Sequence, residues 1–147
     1  IKDALNGYLF DVFAVSVPLF PVFGRVGCFF AGCCYGVESD FGITVNFKMS
    51  AEHYSVSRFP VQLVEALINL IIFSILLYCF KRNKAINNLF YIYLALYAPS
   101  RFVLEFFRGD EVRGLYFGFS TSQIISLLII LFLIVYSGYK FIKNKSR

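Results

Sequence analysis

Apolar residues fall in four long runs separated by short polar stretches, and the runs are of membrane-spanning length. The first extends conservatively from Tyr8 to Phe23, with Pro18 and Pro21 placed to bend it. It reaches Cys34 only by passing through Gly24 and Arg25. The second, Val61–Phe80, is about the 20 residues a helix needs to cross the hydrocarbon core, and Pro60 introduces it where a missing N–H costs a helix nothing. The third, Leu89–Phe107, is interrupted by Pro99, Arg101 and Glu105. The fourth, roughly Ser122–Ile142, opens on a Ser-Thr-Ser run able to supply an N-cap. Its aliphatic interior, Ile124 to Tyr136, is expected to face lipid. Val37–Phe59 is polar enough to lie outside the membrane, and there Phe41, Ile43, Val45 and Phe47 alternate with Gly42, Thr44 and Asn46 as a strand would. The pattern predicts an all-α, polytopic membrane helix bundle. It has about four spanning helices and a small extracytoplasmic loop region, in a single membrane domain over residues 1–147.

Composition agrees with the pattern. Hydrophobic residues make up 59% of the chain, aromatics 20% and charged residues 16%, where a soluble domain carries roughly a quarter charged. Nineteen Phe and ten Tyr exceed what a core of this size could hide, so the surplus faces lipid. The chain opens Ile-Lys-Asp and is read as the C-terminal part of a longer protein. Leu9 to Phe23 is short enough for a signal-peptide core, but no small-residue cleavage site follows it.

Charge gives the orientation. Lys81, Arg82 and Lys84 fill the turn between the second and third runs, and Lys140, Lys143, Lys145 and Arg147 fill the tail. The positive-inside rule places both in the cytoplasm, with Gly24–Phe59 and Gly109–Thr121 on the outer side. The inner side then holds eight Lys/Arg, Lys2 included, against Asp3 and Asp11; the outer half holds six against seven acids. The net charge of +5 is therefore an orientation signal and not a nucleic-acid footprint. Five of the six outer cations are Arg, the residue suited to forked binding of phosphate or carboxylate.

Three groups of residues could carry chemistry. Arg101, Glu105 and Arg108 are spaced i, i+4, i+7 and so share one helix face. Ionisable groups within a span usually point into the bundle and mark a functional site. Either they form a structural cluster locking helices together, or the excess positive charge awaits an anionic ligand. In Gly24 to Gly36, small residues recur every four positions at Gly24, Cys28, Gly32 and Gly36. If helical, that stripe permits close approach of a helix or an acyl chain, with Arg25 either binding a ligand or snorkelling outward. Gln62, Glu65 and Asn69 share a face at the outer end of the second span. Glu65 there either complements the helix dipole or, with Gln62, binds on the substrate side by fixing the arginines or a substrate hydroxyl.

The cysteines, Cys28, Cys33, Cys34 and Cys79, show no paired CxxC spacing, and the one histidine, His53, sits in a loop. They are read as packing residues, with no metal and no cofactor expected. Adjacent Cys33 and Cys34 are poorly placed to pair with each other.

Four segments carry a family resemblance: Gly24-Arg25-Val26-Gly27-Cys28-Phe29 with Gly36; Pro60-Val61-Gln62-Leu63-Val64-Glu65; Arg101-Phe102-Val103-Leu104-Glu105-Phe106-Phe107-Arg108; and Ser122-Gln123. In order and spacing they resemble the prolipoprotein diacylglyceryl transferases, over essentially the whole chain. The resemblance implies a multi-pass enzyme of the bacterial cytoplasmic membrane, its C-terminus cytoplasmic and its site toward the outer leaflet. Such enzymes move the diacylglyceryl group of phosphatidylglycerol to the lipobox cysteine of a prolipoprotein signal peptide, releasing glycerol phosphate. By the same resemblance Arg25 binds phosphatidylglycerol, Gly36 belongs to the first signature, and Arg101, Glu105 and Arg108 form the essential helix. The departures are Cys28 where the family commonly has Asn, Cys33 where many members have Glu, and Phe59 in place of a His. The His-Gly-Gly segment would lie upstream of Ile1, so residues 1–147 alone are expected to be inactive. The alternatives are a non-catalytic protein binding anionic lipid or peptide through the same arginines, or a related transferase with another acceptor.

Overall fold

The computed structural model describes residues 2–44, 57–109, 115–116 and 119–145. Its first span is built from two helices, α1 (Lys2–Ser16) and α2 (Leu19–Ala31). Pro18 has no N–H to continue the helical ladder and marks the break between them. Pro21 falls in the first turn of α2, where N–H groups lack helical partners anyway, and does not disturb it. The apolar stretch therefore runs from Gly7 to Ala31, through Gly24 and Arg25, and is longer than the expected Tyr8–Phe23. The remaining spans are α3 (Val61–Lys81), α4 (Leu89–Leu104, continued by a 3-10 turn over Glu105–Phe107) and α5 (Thr121–Lys145). Among the described residues, four helical stretches are long and apolar enough to cross a membrane. The molecule is an all-α membrane bundle.

Two small hairpins complete the described residues. Strand β1 (Glu38–Thr44) pairs antiparallel with β2 (Ser57–Arg58), and β3 (Leu115–Tyr116) with β4 (Phe119–Ser120). Strand β1 takes up the alternation at Phe41 to Thr44, while Val45–Phe47 and His53 lie outside the described residues.

The buried face of α3 explains the layout. Gln62, Glu65, Asn69, Ile72 and Leu76 recur at alternating spacings of three and four and are all buried. The first three are polar and the last two apolar, so one helix face serves two purposes along its length. Ile72 and Leu76 join Ala14 and Val15 of α1 with Leu89 and Tyr93 of α4 in the hydrophobic core. The polar half points into the other end of the bundle, where α2 packs on α3.

Among the described residues, two helix starts are capped by side chains. Asn88 offers α4 no side-chain cap; instead Asp11 of α1 accepts the backbone N–H groups of Asn87 and Leu89. At α5, Ser120 N–H donates to Gln123 Oε1 (3.0 Å) and Gln123 N–H donates to Ser120 Oγ (3.3 Å), a reciprocal capping box. Beyond its cap α5 is largely exposed, with Leu128, Leu131, Phe132, Ile134 and Val135 on its surface, as the aliphatic run predicts for a lipid-facing helix. An open cavity of about 380 Å³ between α4 and α5, lined by Ala95, Pro99, Ile130 and Leu133, is apolar and holds none of the charged residues.

Candidate functional site

The site begins where α2 ends. Gly32 takes a left-handed conformation (φ 70°), its N–H bonds to Phe29 O (3.2 Å), and the Cys33 N–H reaches back to Cys28 O (3.1 Å). This pair of bonds is a Schellman termination. It folds Cys33 back over Cys28, and Cys34, itself left-handed (φ 58°), turns its thiol toward both. The four-residue repeat of Gly24, Cys28, Gly32 and Gly36 is therefore not one helical stripe: α2 stops at Ala31, and a Cβ at Gly24 would meet nothing within 4 Å.

From this turn the chain runs into a backbone pairing. Gly36 bridges Arg108 antiparallel, with Val37 N–H on Phe107 O (3.0 Å) and Gly109 N–H on Tyr35 O (3.1 Å). The approach is so close that a Cβ on Gly36 would lie 2.3 Å from Phe59 O, and one on Gly109 2.6 Å from Gly36 O. Both positions admit only glycine without backbone movement. The pairing also overrides the helical spacing of the Arg-Glu-Arg motif. The α-helix ends at Leu104, Glu105 enters the 3-10 turn, and Arg108 is extended (φ −86°, ψ 133°). Arg101 and Glu105 remain one turn apart, while Arg108 leaves their helix face for the α2 turn.

The charged groups are paired but not exhausted. Arg25 Nε lies 3.0 Å from Glu65 Oε2, joining α2 to α3, with the Glu65 side chain 3% exposed. Arg101 Nη2 lies 2.9 Å from Glu105 Oε2. Gln62 Nε2 donates to Cys33 O (2.8 Å), pinning the turn to α3, and Asn69 Nδ2 donates to Glu65 O (2.8 Å). Among the described residues, Arg101 Nη1 and Asn69 Oδ1 are buried without a hydrogen-bond partner. Buried polar atoms are rarely left so, and these two are a donor and an acceptor with hydrogen-bonding capacity unused.

Cys34 links the arginines to the turn. Burial pushes its thiol up, but the hydrogen bond and charge of Arg108, with Cys33 and Arg25, hold it below the ordinary thiol value. Cys33 moves the opposite way, up to about 11, through loss of water around its sulfur and the neighbouring Cys28 and Cys34. The sulfurs of Cys28, Cys33 and Cys34 lie within 4.8 Å of one another. Linear spacing hid this cluster, because only the Schellman turn brings positions 28 and 33 together. The motifs above also leave out Arg58, whose guanidinium covers the Tyr35 ring (4.3 Å) and pairs with Glu38 (3.4 Å). The one sequence signal for it is its place two residues before Pro60.

Of the sequence-derived candidates, Arg25, Gln62 and Glu65 thus meet at the α2–α3 seam, and Gly36 and Arg108 meet through their backbones. Arg101 and Glu105 pair on α4.

Comparison with known proteins points one way. Residues 6–139 match the family described as prolipoprotein diacylglyceryl transferase. The chain is 36% identical over 124 residues to the phosphatidylglycerol–prolipoprotein diacylglyceryl transferase of Clostridium tetani, covering 84% of this chain and 49% of the relative. It is 33% identical over 141 residues to that of Dehalococcoides mccartyi strain 195, covering 95% and 54%. It is 38% identical over 144 residues to that of Helicobacter hepaticus, covering 91% and 47%. The chain spans about half the length of these curated relatives. No solved structure matches it.

Proposed function

Because the chain belongs to the prolipoprotein diacylglyceryl transferase family, we propose that it carries the arginine-lined part of a site for diacylglyceryl transfer. The donor is phosphatidylglycerol, the acceptor is the lipobox cysteine of a prolipoprotein signal peptide, and glycerol phosphate leaves. The site faces the outer leaflet of the bacterial cytoplasmic membrane, and the C-terminus is cytoplasmic.

One observation carries this reading: Arg101 is 8% exposed, pairs with Glu105 through Nη2, and keeps Nη1 buried and unused. A guanidinium held on one edge by a carboxylate and open on the other is arranged to take a phosphate oxygen. Arg25 is held likewise by Glu65. As the acceptor sulfur attacks the glyceryl carbon, the C–O bond to phosphate breaks and negative charge grows on the departing oxygen. Fixed guanidinium groups in a dry site stabilise that charge without reorganising. Asn69 Oδ1, 1% exposed on the residue and without a partner, accepts a hydroxyl of the glycerol being released.

The test is transfer of labelled diacylglycerol from phosphatidylglycerol to a lipobox peptide, in membranes holding protein expressed from the complete gene. Arg25→Ala and Arg101→Ala are expected to abolish it while the protein stays folded. Transfer that persists in both variants would remove these arginines from the reaction. No transfer by the unaltered, folded protein would overturn the reading itself.

A further inference from the structure

The Schellman turn at Gly32 gathers three thiols in a protein whose proposed acceptor is also a thiol. Cys28 comes from the last turn of α2, and Cys33 and Cys34 from the residues just beyond. Their sulfurs lie within 4.8 Å of one another, all three are free, and Cys33 is exposed. The turn is held in place by Gln62, which donates to Cys33 O, and by two left-handed residues, Gly32 and Cys34.

We propose that Cys28, Cys33 and Cys34 form a three-thiolate zinc site whose open fourth position takes the thiol of the acceptor peptide. This rests on the transferase reading and deepens it by naming how the acceptor is activated. With Zn–S bonds of about 2.3 Å, tetrahedral ligands stand about 3.8 Å apart. The observed sulfurs therefore close on an ion by shifts of about 1 Å. Three protein ligands with one position open is the arrangement of catalytic zinc, whereas structural sites are closed by a fourth ligand. The exposed side of Cys33 leaves that position accessible.

Charge supports the assignment. Three thiolates with one zinc ion carry −1, and a bound acceptor thiolate makes −2. Arg108, hydrogen-bonded to Cys34, and Arg25, whose charge reaches the same sulfur while its Nε pairs with Glu65, place positive charge beside it.

The step balances without an oxidant. On coordination the acceptor S–H loses its proton to water, since a coordinated thiol is deprotonated outright. The sulfur then forms the C–S bond to the glyceryl carbon. The C–O bond to phosphate breaks, and glycerol phosphate leaves with the electron pair. A free thiol of pKa about 8.5 is about 3% thiolate at pH 7, so full deprotonation is worth at most about thirtyfold in rate.

The experiment uses protein from the complete gene, reduced, in lipid nanodiscs, first stripped with a chelator and then titrated with Zn²⁺ and Cd²⁺. The expected result is one equivalent of zinc per chain and a thiolate-to-cadmium charge-transfer band. Both should be lost in Cys28→Ser, Cys33→Ser and Cys34→Ser but kept in Cys79→Ser, whose sulfur lies on α3 near the core. Stripping should slow transfer by up to about thirtyfold at pH 7. The deficit should close as pH rises past the acceptor's own pKa, and zinc should restore the rate. No metal binding by reduced, folded protein overturns the proposal, as does a native Cys–Cys disulfide found by mass spectrometry. Zinc binding with transfer indifferent to chelation also overturns it, leaving the transferase reading intact. Zinc binding without transfer at any pH fails the transferase reading and the acceptor role with it.

Discussion

Glu65 holds Arg25 at 3.0 Å across the α2–α3 seam, and its own backbone carbonyl is held by Asn69 one turn below. The carboxylate is nearly sealed from solvent while the guanidinium is one-fifth exposed. Arg25 is therefore aimed by a rigid partner. Hydrogen bonds to charged groups contribute about 1.5–3 kcal/mol, so Glu65→Gln should lower kcat/KM about 10- to 150-fold by releasing Arg25. In a double-mutant cycle read as thermal stability, Arg25→Ala with Glu65→Ala should cost less than the sum of the single changes, because each removes the same contact. Additive losses would show that the two residues act separately.

Gly36 and Gly109 form the second constraint. A methyl group at Gly36 meets Phe59 O at 2.3 Å and Phe107 O at 2.9 Å, so Gly36→Ala should open the bridge that carries Arg108 to the α2 turn. Transfer should fall steeply and thermal unfolding should shift down by several degrees, as expected for about 1–3 kcal/mol of backbone strain. Gly138→Ala is the control: nothing lies within 4 Å of its Cβ position, and an exposed helical glycine gains up to about 1 kcal/mol on replacement by alanine.

How far the sequence could be read depended on range. The spans, the lipid-facing α5 and the polar face of Gln62, Glu65 and Asn69 follow from local periodicity, which the helices obey. The path of Arg108 does not. Its i+7 spacing predicts a shared face with Arg101, but a backbone bridge to Gly36, 72 positions earlier in the chain, pulls it out of the helix. The cysteine cluster was hidden for a related reason: a left-handed Gly32 reverses the chain, and spacing rules for helices or strands do not describe a reversal. Likewise the pairing of Arg58 with Tyr35 and Glu38 is set by tertiary packing, with no periodic signature.

Asp11 offers a test of stability apart from chemistry. It is 1% exposed and accepts the N–H groups of Asn87 and Leu89, the only side-chain cap observed for α4 among the described residues. Asp11→Ala leaves the buried Leu89 N–H without its acceptor, at a cost of about 1–3 kcal/mol, while the N–H of exposed Asn87 turns to water. Thermal unfolding in detergent should drop clearly, and KM for phosphatidylglycerol should stay unchanged because the site lies at the other end of α3. A change in KM with normal stability would contradict this division.

Cys33 and Cys34 should separate by pH in metal-free protein. The thiolate is the nucleophile, so a lowered pKa makes a thiol reactive at lower pH. Cys34, held down mainly by Arg108, should be alkylated with a half-maximal rate below pH 9, and Cys33 only near pH 11, despite its greater exposure. In Arg108→Ala the Cys34 profile should move up while burial of its sulfur still acts. Mass-spectrometric mapping of alkylation against pH reads both sites at once, and a Cys33 that reacts first would refute the ordering.

Arg101→Lys asks whether charge alone suffices. Arginine spends one edge of its planar fork on Glu105 at 2.9 Å and keeps Nη1 buried and unpaired. Lysine keeps the charge, but it is a compact point donor on a flexible stem and cannot hold a carboxylate and a phosphate in one fixed plane. If the open edge of Arg101 meets the leaving phosphate, Arg101→Lys should lose about 1.5–3 kcal/mol of transition-state binding, or about 10- to 150-fold in kcat/KM. The loss should fall mainly on kcat, because the charge on the leaving oxygen grows during the reaction. If Arg101 only locks α4, lysine would still pair with Glu105 and the rate would hold. A rise in KM with kcat intact would instead assign Arg101 to ground-state binding of the headgroup.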